Sequence, residues 1–469
     1  MPGVRPGTVF VTMSAVVATA VASIVLITAQ TTPPPIYKPA QRLCVLCDFG
    51  TKLDDPSLPQ FMGLLADGGD GYIYGTSSSG GVSAPGLTAN QGTIFRFSPT
   101  TGALEVLYRF DFTDHGSNPM GGLVRDLHQP VFYGTTYQGG RYHFPVNGKD
   151  AAKLGAGVIF RFKYGDAAPT VIQAFRNGDT TGLPLHRREL PVPHLYYTPQ
   201  DRLNAAAGYP MSAPVQGSDG KFYGVASKGL NYDLGILYTF DPGSGAYKAL
   251  CIGGQMFGED EEPSDQQLRD RCMFVGERGG VPNRLTANPN KPELYGTTLG
   301  IVPGAPNGTV FKATLDGRVT TLKNFTNLND GRQPFGVILA SDGRLYGTTR
   351  YGGPNGLGNP GAGVVYRISP IPGEFLPGLG FQVLHELNGT TEGAGSVSEL
   401  VEIKLRVFDP VTSLNVDRTF LYGAASIAGE GQRGTSASRS VTPSRRRTMR
   451  SRTRFPRSGP QRGASRSPR

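Results

Sequence analysis

The amino-acid sequence predicts an all-β fold, a β-propeller of about six four-stranded blades with long loop insertions. One observation behind this prediction is a short motif that returns along the chain at intervals of about 50 to 90 residues. Another is that the glycines, 66 among 469 residues, stand at fixed offsets between short apolar runs. Long amphipathic helical patterns are absent from the sequence. Repeats of this length with this many turns are typical of propellers, solenoids and arrays.

The repeated motif has two parts, a strand that contains Tyr-Gly and a partner strand that begins with Gly. The clearest copy is Tyr-Gly-Thr-Thr at 346–349, followed by Gly-Val-Val-Tyr at 363–366. A sixth Tyr-Gly copy, at 422–425, has no clear partner. We expect the motif glycine to let a neighbouring blade or a bulged backbone come close. Four further copies carry both parts, at 74–76 with 92–95, 133–136 with 157–160, 223–224 with 235–238, and 295–298 with 308–311.

The most compact repeat shows how four strands follow from the sequence. An apolar run at 334–340, bounded by turn residues, predicts a strand buried on both faces. An Asp-Gly step at 342–343 predicts a tight turn, because glycine accepts a positive φ. Residues 345–349 suit a pleated surface and predict the second strand. A glycine-rich loop leads to the third strand at 363–368, and 381–387 predicts the fourth. Four short strands joined as a meander form one propeller blade.

The motif copies delimit the repeats. We expect six blades, with seven as the alternative if an insertion hides a degenerate repeat. A fourth-strand pattern at 42–49 stands alone before the first repeat. Pairing this strand with the incomplete sixth repeat would close the propeller and cover an exposed edge. The complete repeats run over 59–111, 119–175, 210–251, 281–325 and 334–387, and the sixth begins near Val397 and reaches Ala425.

The repeat resembles that of the GloVer tandem-repeat family, which is found in exported bacterial proteins with varied C-terminal anchors. The resemblance rests on Tyr-Gly-Thr-Thr, the Gly-Gly loop after it, Gly-Thr-Val-Phe, and the Asp-Gly turn before the Tyr-Gly strand. It spans residues 41–434. The resemblance implies a propeller-like repeat fold, and it implies no reaction and no catalytic residues.

Composition divides the chain into four parts. Residues 1–29 read as a signal peptide or an N-terminal anchor, because an uncharged apolar run follows Arg5. Residues 30–40 form a Pro-rich spacer, 41–430 the propeller repeat domain, and 431–469 an Arg/Ser-rich tail. The apolar run borders on membrane-spanning length, so cleavage and anchoring both stay open. Either outcome predicts an exported body that is periplasmic, extracellular or membrane-anchored outside the cytoplasm.

The net charge of +10 comes from the tail. Residues 431–469 contain 12 arginines, no lysine and no acid, and taking them away leaves a net charge of −2. The high pI therefore gives no sign of a basic face on the folded body. A tail of this composition is predicted to be disordered. It could contact anionic polymers, or it could result from a shifted reading frame, since the motif breaks off after Gly-Thr at 434–435. Re-sequencing the gene's end would decide between the two.

Four cysteines in an exported chain favour disulfides. Cys251 and Cys272 lie at either end of the connection between the third and fourth repeats, so we predict a disulfide between them. Cys44 and Cys47 form a Cys-x-x-Cys sequence. A redox or metal role would need a helix N-terminus or a second pair, and neither is evident. We therefore expect a structural disulfide or buried thiols there.

The sequence identifies no catalytic, cofactor-binding or metal-binding residue, and no cofactor is expected. The six histidines have no ligand spacing. The acidic run at 259–262 lies in a predicted loop, where nothing fixes two carboxylates at an acid/base separation. Tryptophan is absent, which argues against sugar stacking on indole rings. Tyrosine, with 20 copies, could supply ring faces, but the repeat tyrosines are expected to pack between blades.

Three functions stay open. The leading hypothesis is an exported non-catalytic propeller that acts as a binding or cell-surface interaction module, as a monomer, with an unknown protein or glycan as partner. Its recognition surface would be three insertions, 137–156, 176–209 and 252–280. The alternatives are an extracellular lyase or glycan hydrolase with an axial-face site, and a structural surface repeat protein. Insertions on one face with convergent acids or histidines would favour the enzyme. Clustered tyrosines without such groups would favour binding, and insertions on both faces would favour the structural protein.

Overall fold

The structure is a computed structural model that describes most of the repeat region. All the described residues lie in the unit Cys47–Arg469, and the unit Met1–Leu46 lies outside them. No helix within them is long and apolar enough to cross a membrane. The described residues are 56–57, 65–81, 91–112, 114–140, 155–175, 207–229, 234–250, 252, 264–300, 302–326, 329–353, 362–373, 380–387, 394–396, 400–409, 414–422 and 425–427.

Five antiparallel sheets follow one another along the chain, and we call them blades one to five. The strands of each blade form a meander, so that neighbours in sequence are neighbours in space. Blade one contains the strands β2 (Ala66–Asp67), β3 (Ile73–Ser77), β5 (Thr93–Phe97) and β6 (Leu104–Arg109). A separate two-stranded sheet is formed by β1 (Pro56–Ser57) and β4 (Ser79–Gly80). Blade two contains β7 (Leu123–Arg125), β8 (Phe132–Thr136), β9 (Val158–Phe162) and β10 (Thr170–Ala174).

Blades three to five continue the same order. In blade three the first strand is split into β11 (Ala207–Pro210) and β12 (Val215–Gln216), which both pair with β13 (Phe222–Gly229), and β14 (Ile236–Phe240) and β15 (Tyr247–Leu250) follow. Blade four contains β16 (Pro282–Ala287), β17 (Glu293–Thr298), β18 (Thr309–Thr314) and β19 (Val319–Asn324). Blade five contains β20 (Arg332–Leu339), β21 (Leu345–Tyr351), β22 (Val364–Ile368) and β23 (Gln382–Glu386). The predicted all-β fold of four-stranded, propeller-like blades is confirmed.

The described strands of the sixth repeat form two antiparallel pairs. β25 (Val401–Asp409) pairs along its length with β26 (Leu414–Tyr422), and β24 (Ala394–Ser396) pairs with β27 (Ala425–Ile427). These strands correspond to the first two of a blade, because the sixth Tyr-Gly copy lies between β26 and β27. The strand predicted at 42–49 lies outside the described residues. Closure of the propeller and the domain boundaries therefore stay predictions.

The connection between blades three and four contains a helix where the sequence predicted only a loop. α1 (Asp265–Cys272) is followed by the 3-10 turn Gly276–Arg278. A capping box begins α1: the hydroxyl of Ser264 accepts the N–H of Gln267 at 3.3 Å, and the Gln267 side chain accepts the N–H of Ser264 at 2.8 Å. Cys272 at the other end of α1 is fully buried, which anchors the helix in the core.

The hydrophobic core consists of clusters at the junctions between consecutive blades. In one of them, Tyr133 and Phe175 of blade two pack with Phe222 and Tyr238 of blade three. Other clusters join blades one and two, three and four, four and five, and blade five to the sixth repeat. Each blade is therefore stabilised by its nearest neighbours, as in other repeat proteins.

The motif tyrosine connects the first turn of its blade to the next blade. Its hydroxyl donates to the aspartate of the Asp-Gly turn, at 2.6 Å from Tyr74 to Asp70 and at 2.7 Å from Tyr346 to Asp342. Its ring packs on the neighbouring blade, as when Tyr74 stacks on Phe132 with 4.4 Å between ring centroids. The expectation that the repeat tyrosines pack between blades is confirmed.

The motif glycine lies under an aromatic ring of its own blade. Gly347 is directly opposite Tyr366 in the register of β21 and β22, and an added Cβ would lie 2.5 Å from the tyrosine oxygen. Gly134 and Phe160 form the same pair in blade two, with 2.5 Å to the ring Cζ. The nearest atoms belong to a ring on the partner strand of the same blade. The bulged backbone that we expected is close to Gly347 as well, because the carbonyl oxygen of Gly336, at the register shift in β20, lies 2.8 Å from the added Cβ, whereas none of the three nearest atoms belongs to a neighbouring blade.

The two motif threonines form hydrogen bonds with different partners, one in the next blade and one in the same blade. In blade two the hydroxyl of Thr135 donates to the carbonyl of Ser212 in blade three at 3.0 Å, so it joins two blades. The hydroxyl of Thr136 accepts the N–H of Val158 at 3.0 Å, so it fixes the start of the partner strand in its own blade. In blade one Thr76 donates to the carbonyl of Pro119 in blade two at 2.9 Å, whereas in blade four Thr297 accepts the N–H of Gly336 in blade five at 2.8 Å. The Tyr-Gly-Thr-Thr motif is thus engaged in holding the fold together.

Candidate functional site at the loop end of the blades

Each blade has two ends with connections of different length. The short-turn end, as we call it, carries the turns between the first and second strands and between the third and fourth. The loop end carries the connection between the second and third strands and the connection to the next blade. The antiparallel strand order fixes this division. All three predicted insertions, 137–156, 176–209 and 252–280, connect strands at the loop end.

The short-turn end is built from turns that satisfy their own polar groups. In blade three the N–H of Asp241 donates to the carbonyl of Ala246 at 3.0 Å. The Asp241 carboxylate accepts the N–H groups of Gly243 and Ser244 at 2.9 and 2.8 Å. The bond from the Ser244 backbone is the main cause that lowers the pKa of Asp241. Such turns leave few groups for a ligand.

At the loop end a glycine and a proline hold consecutive blades together. Gly308 precedes the third strand of blade four with a φ of 91°, and an added Cβ would lie 2.6 Å from Cδ of Pro334 in blade five. Gly92 has a φ of 96° and approaches Pro119 of blade two in the same way, also at 2.6 Å. Two further junctions repeat the contact, with the pairs Gly157–Pro210 and Gly235–Pro282.

The residue before each of these prolines has a left-handed backbone and a half-buried side chain. Its φ is 53° at Asn118, 57° at Tyr209, 56° at Val281 and 52° at Gln333. This conformation is costly for residues other than glycine, and a following proline restricts the backbone further. Hydrogen bonds between blades hold it in place, as when the N–H of Gln333 donates to the carbonyl of Asn307 at 2.7 Å.

These four positions combine a repeated backbone with a varied side chain. The side chains are an amide, a phenol, an aliphatic group and a second amide. A rigid scaffold that presents changing side chains at one end is how many folds build a binding surface. The pre-proline positions therefore mark the loop end as the candidate site.

One cluster of tyrosines and a cation lies where blades two and three meet. The rings of Tyr137 and Tyr209 are 5.1 Å apart between centroids. The ammonium of Lys228 lies 5.2 Å from the centroid of the Tyr209 ring. Both tyrosines are half-buried and flank insertions. The cluster combines ring surface with a positive charge.

A second cluster lies at the loop end of blade five. Arg332 on the first strand is the cross-strand partner of Tyr351 on the second. The guanidinium carbons of Arg332 and Arg350 lie 5.2 and 5.1 Å from the centroid of the Tyr351 ring. Two cations therefore contact the same tyrosine ring.

Titratable groups that could support catalysis or metal binding do not converge in the described part of the chain. No group of three or more histidines, cysteines and acids there could hold a metal ion. His115 is hydrogen-bonded to the hydroxyl of Tyr108 at 3.0 Å through Nδ1. Burial, with a further contribution from Asp111, raises the pKa of Tyr108. This pair lies at the loop end of blade one.

Of the predicted disulfide cysteines, only Cys272 is described. It is buried at the end of α1 and is not a free thiol. Cys44, Cys47 and Cys251 lie outside the described residues, so the Cys251–Cys272 bond and the role of the Cys-x-x-Cys pair stay predictions.

The tyrosine–cation clusters were not predicted from the sequence. One signal was present, a Gly-x-x-Pro spacing before the first strand of three blades, at 116–119, 279–282 and 331–334. This spacing marks where each blade begins at the loop end. It does not reveal which aromatic and basic residues meet there, because they come from different strands and blades.

Similarity to known proteins concerns the fold. No curated protein matches the chain in sequence. TolB from Acinetobacter baumannii is 12% identical over 65% of this chain and 51% of its own, with a TM-score of 0.31. This chain thus matches about half the length of that TolB.

Two further solved structures have similarly low scores. A gluconolactonase from Xanthomonas campestris, XC5397, is 13% identical over 78% of this chain and 84% of its own, with a TM-score of 0.35. PorZ, a surface component of the type-IX secretion system of Porphyromonas gingivalis, is 10% identical over 80% and 40%, with a TM-score of 0.39. Similarities at this level carry no information about function.

The repeat family itself is identified by sequence. The family model described as the Gloeobacter/Verrucomicrobia repeat matches residues 193–437, which is more than half of the chain. The matched range contains blades three to five and the described strands of the sixth repeat. The chain therefore belongs to the Gloeobacter/Verrucomicrobia repeat family.

Proposed function

We propose that this protein is an exported, non-catalytic binding module whose recognition surface is the loop end of its blades. The observation that carries the proposal is that all three insertions attach to the same end, on a backbone that repeats from blade to blade. The motif residues are engaged within and between blades. Contact with a ligand therefore falls to the insertions and to the varied side chains beside them.

This arrangement favours binding over the two alternatives. A lyase or glycan hydrolase needs acids or histidines placed together to transfer protons. At the described loop end, tyrosines and cations come together instead, in the clusters of Tyr209 and Tyr351. A purely structural repeat would have no reason to collect its insertions at one end.

We place the module outside the cytoplasm. The apolar run after Arg5 is typical of an export segment, and a Pro-rich segment follows it at 30–40. A surface protein or glycan is the partner that fits this location. The chain would act as a monomer, because one molecule presents the whole loop end.

A glycan and protein array probed with the full chain tests the proposal. We expect selective binding to a small set of glycans or proteins. Replacing 178–205 of the second insertion by a short Gly-Ser linker should weaken that binding by about tenfold, or about 1.4 kcal/mol. The matched control inserts the same linker after Asp316, in a turn at the short-turn end. Absence of any selective ligand, or an equal loss in the control, would contradict the proposal.

A further inference from the structure

Arg332 and Arg350 carry positive charge without a carboxylate to balance it. Neither forms an ion pair with any described acid. The acid nearest to Arg332 in sequence, Asp330, binds Lys323 at 2.7 Å and accepts the hydroxyl of Thr326 at 2.8 Å. It is therefore committed to a different cation.

The backbone around Arg332 is fixed by two blades. Gly331 before it has a φ of 86°, and an added Cβ there would overlap the side chain of Thr349 in the same blade. Gln333 after it has a φ of 52° and is held by its bond to Asn307 of blade four. The Arg332 side chain thus leaves a rigid position between two left-handed residues.

The ring of Tyr351 keeps the two arginines together. Each guanidinium lies just over 5 Å from its centroid, which is within the range of a cation–π contact. Like charges beside one ring repel each other, and the described residues supply no acid that reduces the repulsion. The Nε of Arg332 is also buried without a hydrogen-bond partner. Repulsion between two cations and a buried donor without a partner both lower the stability of the free protein. Such features are expected where a ligand supplies the missing partner.

We propose that Arg332 and Arg350, held by Tyr351, bind the oxyanion groups of an acidic polysaccharide. This inference rests on the proposed function, because it assigns a ligand class to the same loop end. A guanidinium presents paired N–H donors in a plane that matches carboxylate or sulfate oxygens. An oxyanion bound to either arginine would also reduce their repulsion.

A polymer fits the loop end better than a single ion. Lys228 on Tyr209 in blade three is a second cation on a tyrosine at the same end. A chain of acidic sugars carries anions at regular intervals and can reach both clusters. Its pyranose rings can also pack on the exposed parts of the tyrosine rings.

Arginine footprinting of the full chain tests the inference. Phenylglyoxal modifies accessible arginines, and peptide mass spectrometry reads each site separately, so the arginine-rich tail does not interfere. Polygalacturonate should slow the modification of Arg332 and Arg350 by about fivefold, whereas neutral dextran should not. Arg318, paired with Asp316 at 3.3 Å at the short-turn end, is the internal control and should react at the same rate throughout.

Three results would overturn the inference. Unchanged rates at Arg332 and Arg350 with polygalacturonate would exclude the site. Equal protection by the same concentration of inorganic sulfate would make a free ion the ligand. Stronger protection by a single-stranded DNA oligonucleotide would exclude a polysaccharide as the preferred polymer.

Variants sharpen the same test. The pair Arg332→Gln and Arg350→Gln should weaken binding to polygalacturonate by about tenfold and reduce its salt dependence, because two charge contacts are lost. Arg318→Gln removes the same kind of charge and should leave binding unchanged. A double variant that binds like the wild type, with an unchanged thermal midpoint, contradicts the inference. If the array then still finds a ligand at the loop end, the binding-module proposal survives and only the ligand class is wrong.

Discussion

The two ends of the blades use glycine for different purposes. Gly343 at the short-turn end and Gly308 at the loop end both have a positive φ, 76° and 91°. An added Cβ on Gly343 would meet nothing within 4 Å, whereas on Gly308 it would lie 2.6 Å from Pro334 of the next blade. The first glycine serves the conformation of one turn. The second also allows two blades to touch at the loop end.

The polar contacts divide in the same way. At the short-turn end, Tyr346 donates to Asp342 within its own blade. Towards the loop end, Thr135 donates to Ser212 of the following blade. The end that we propose for recognition therefore carries bonds between blades. The short-turn end has such bonds as well, as when Arg96 of blade one donates to the hydroxyl of Tyr164 in blade two at 2.8 Å. The backbone of the loop end cannot vary much, and variation is left to side chains and insertions.

The largest expected effect compares the two glycines directly. Gly308→Ala should destabilise the protein by about 3 kcal/mol or more, because left-handed strain adds to overpacking against the carbonyl of Thr298 in its own blade and against Pro334 in the next. Gly343→Ala should cost about 1 kcal/mol, since only the strain applies. Urea unfolding of both variants measures the difference. Equal losses would mean that the contact between blades is not tight and would remove the distinction drawn here.

A second prediction concerns the connection between blades three and four, where a disulfide is predicted. If Cys251 and Cys272 are bonded as predicted, removing the bond should cost about 3 kcal/mol in the chain-entropy model. Cys251→Ser is the informative variant, because Cys272 is buried and its replacement would also disturb packing. Non-reducing peptide mapping of the wild type checks the pairing. Recovery of both thiols in free form would show that the staple does not exist.

The strands could be read from the sequence because their signals are local. The Asp-Gly step before Leu345 and the apolar residues on either side of it specify a hairpin without knowledge of the rest of the chain. The capping box of Ser264 and Gln267 was also readable, but the neighbouring acidic run suggested a loop. The helix was missed for that reason.

The candidate site could not be read in the same way. Tyr209 contacts Tyr137 across the junction between blades two and three, although 71 residues separate them in the sequence. The ring beside Gly347 was not predicted for a related reason. Whether a ring lies across the sheet or on the next blade depends on strand register, which the sequence does not state.

A third prediction compares hydrogen bonds at the two ends. Thr135→Val keeps the shape but leaves the buried carbonyl of Ser212 without this donor, which should cost about 1 to 3 kcal/mol. Tyr346→Phe removes a bond to the more exposed Asp342 and should cost about 0.5 to 1.5 kcal/mol. Thermal unfolding of the two variants orders the effects. A larger loss for Tyr346→Phe would mean that the turns, rather than the junctions, limit stability.

The smallest expected effect is a loss of stability at alkaline pH to which the Tyr–Asp pairs of the short-turn end contribute. Burial, together with the bonds to Asp70 and Asp342, raises the pKa values of Tyr74 and Tyr346 to about 12 from the ordinary 10.0. The folded protein therefore keeps these protons where the unfolded chain loses them. The resulting stability is fully present below pH 10 and is lost as the pH rises towards 12. Burial also raises the pKa values of tyrosines at the junctions, such as Tyr238 and Tyr366, so the total loss includes their contribution, and the part from one turn is read from Tyr346→Phe. Thermal midpoints across the window, with tyrosinate absorbance, measure it, and Tyr346→Phe should show a smaller loss than the wild type. If these tyrosines ionise near pH 10 in the folded protein, or if the variant loses as much stability, then the Tyr–Asp pairs do not contribute as described.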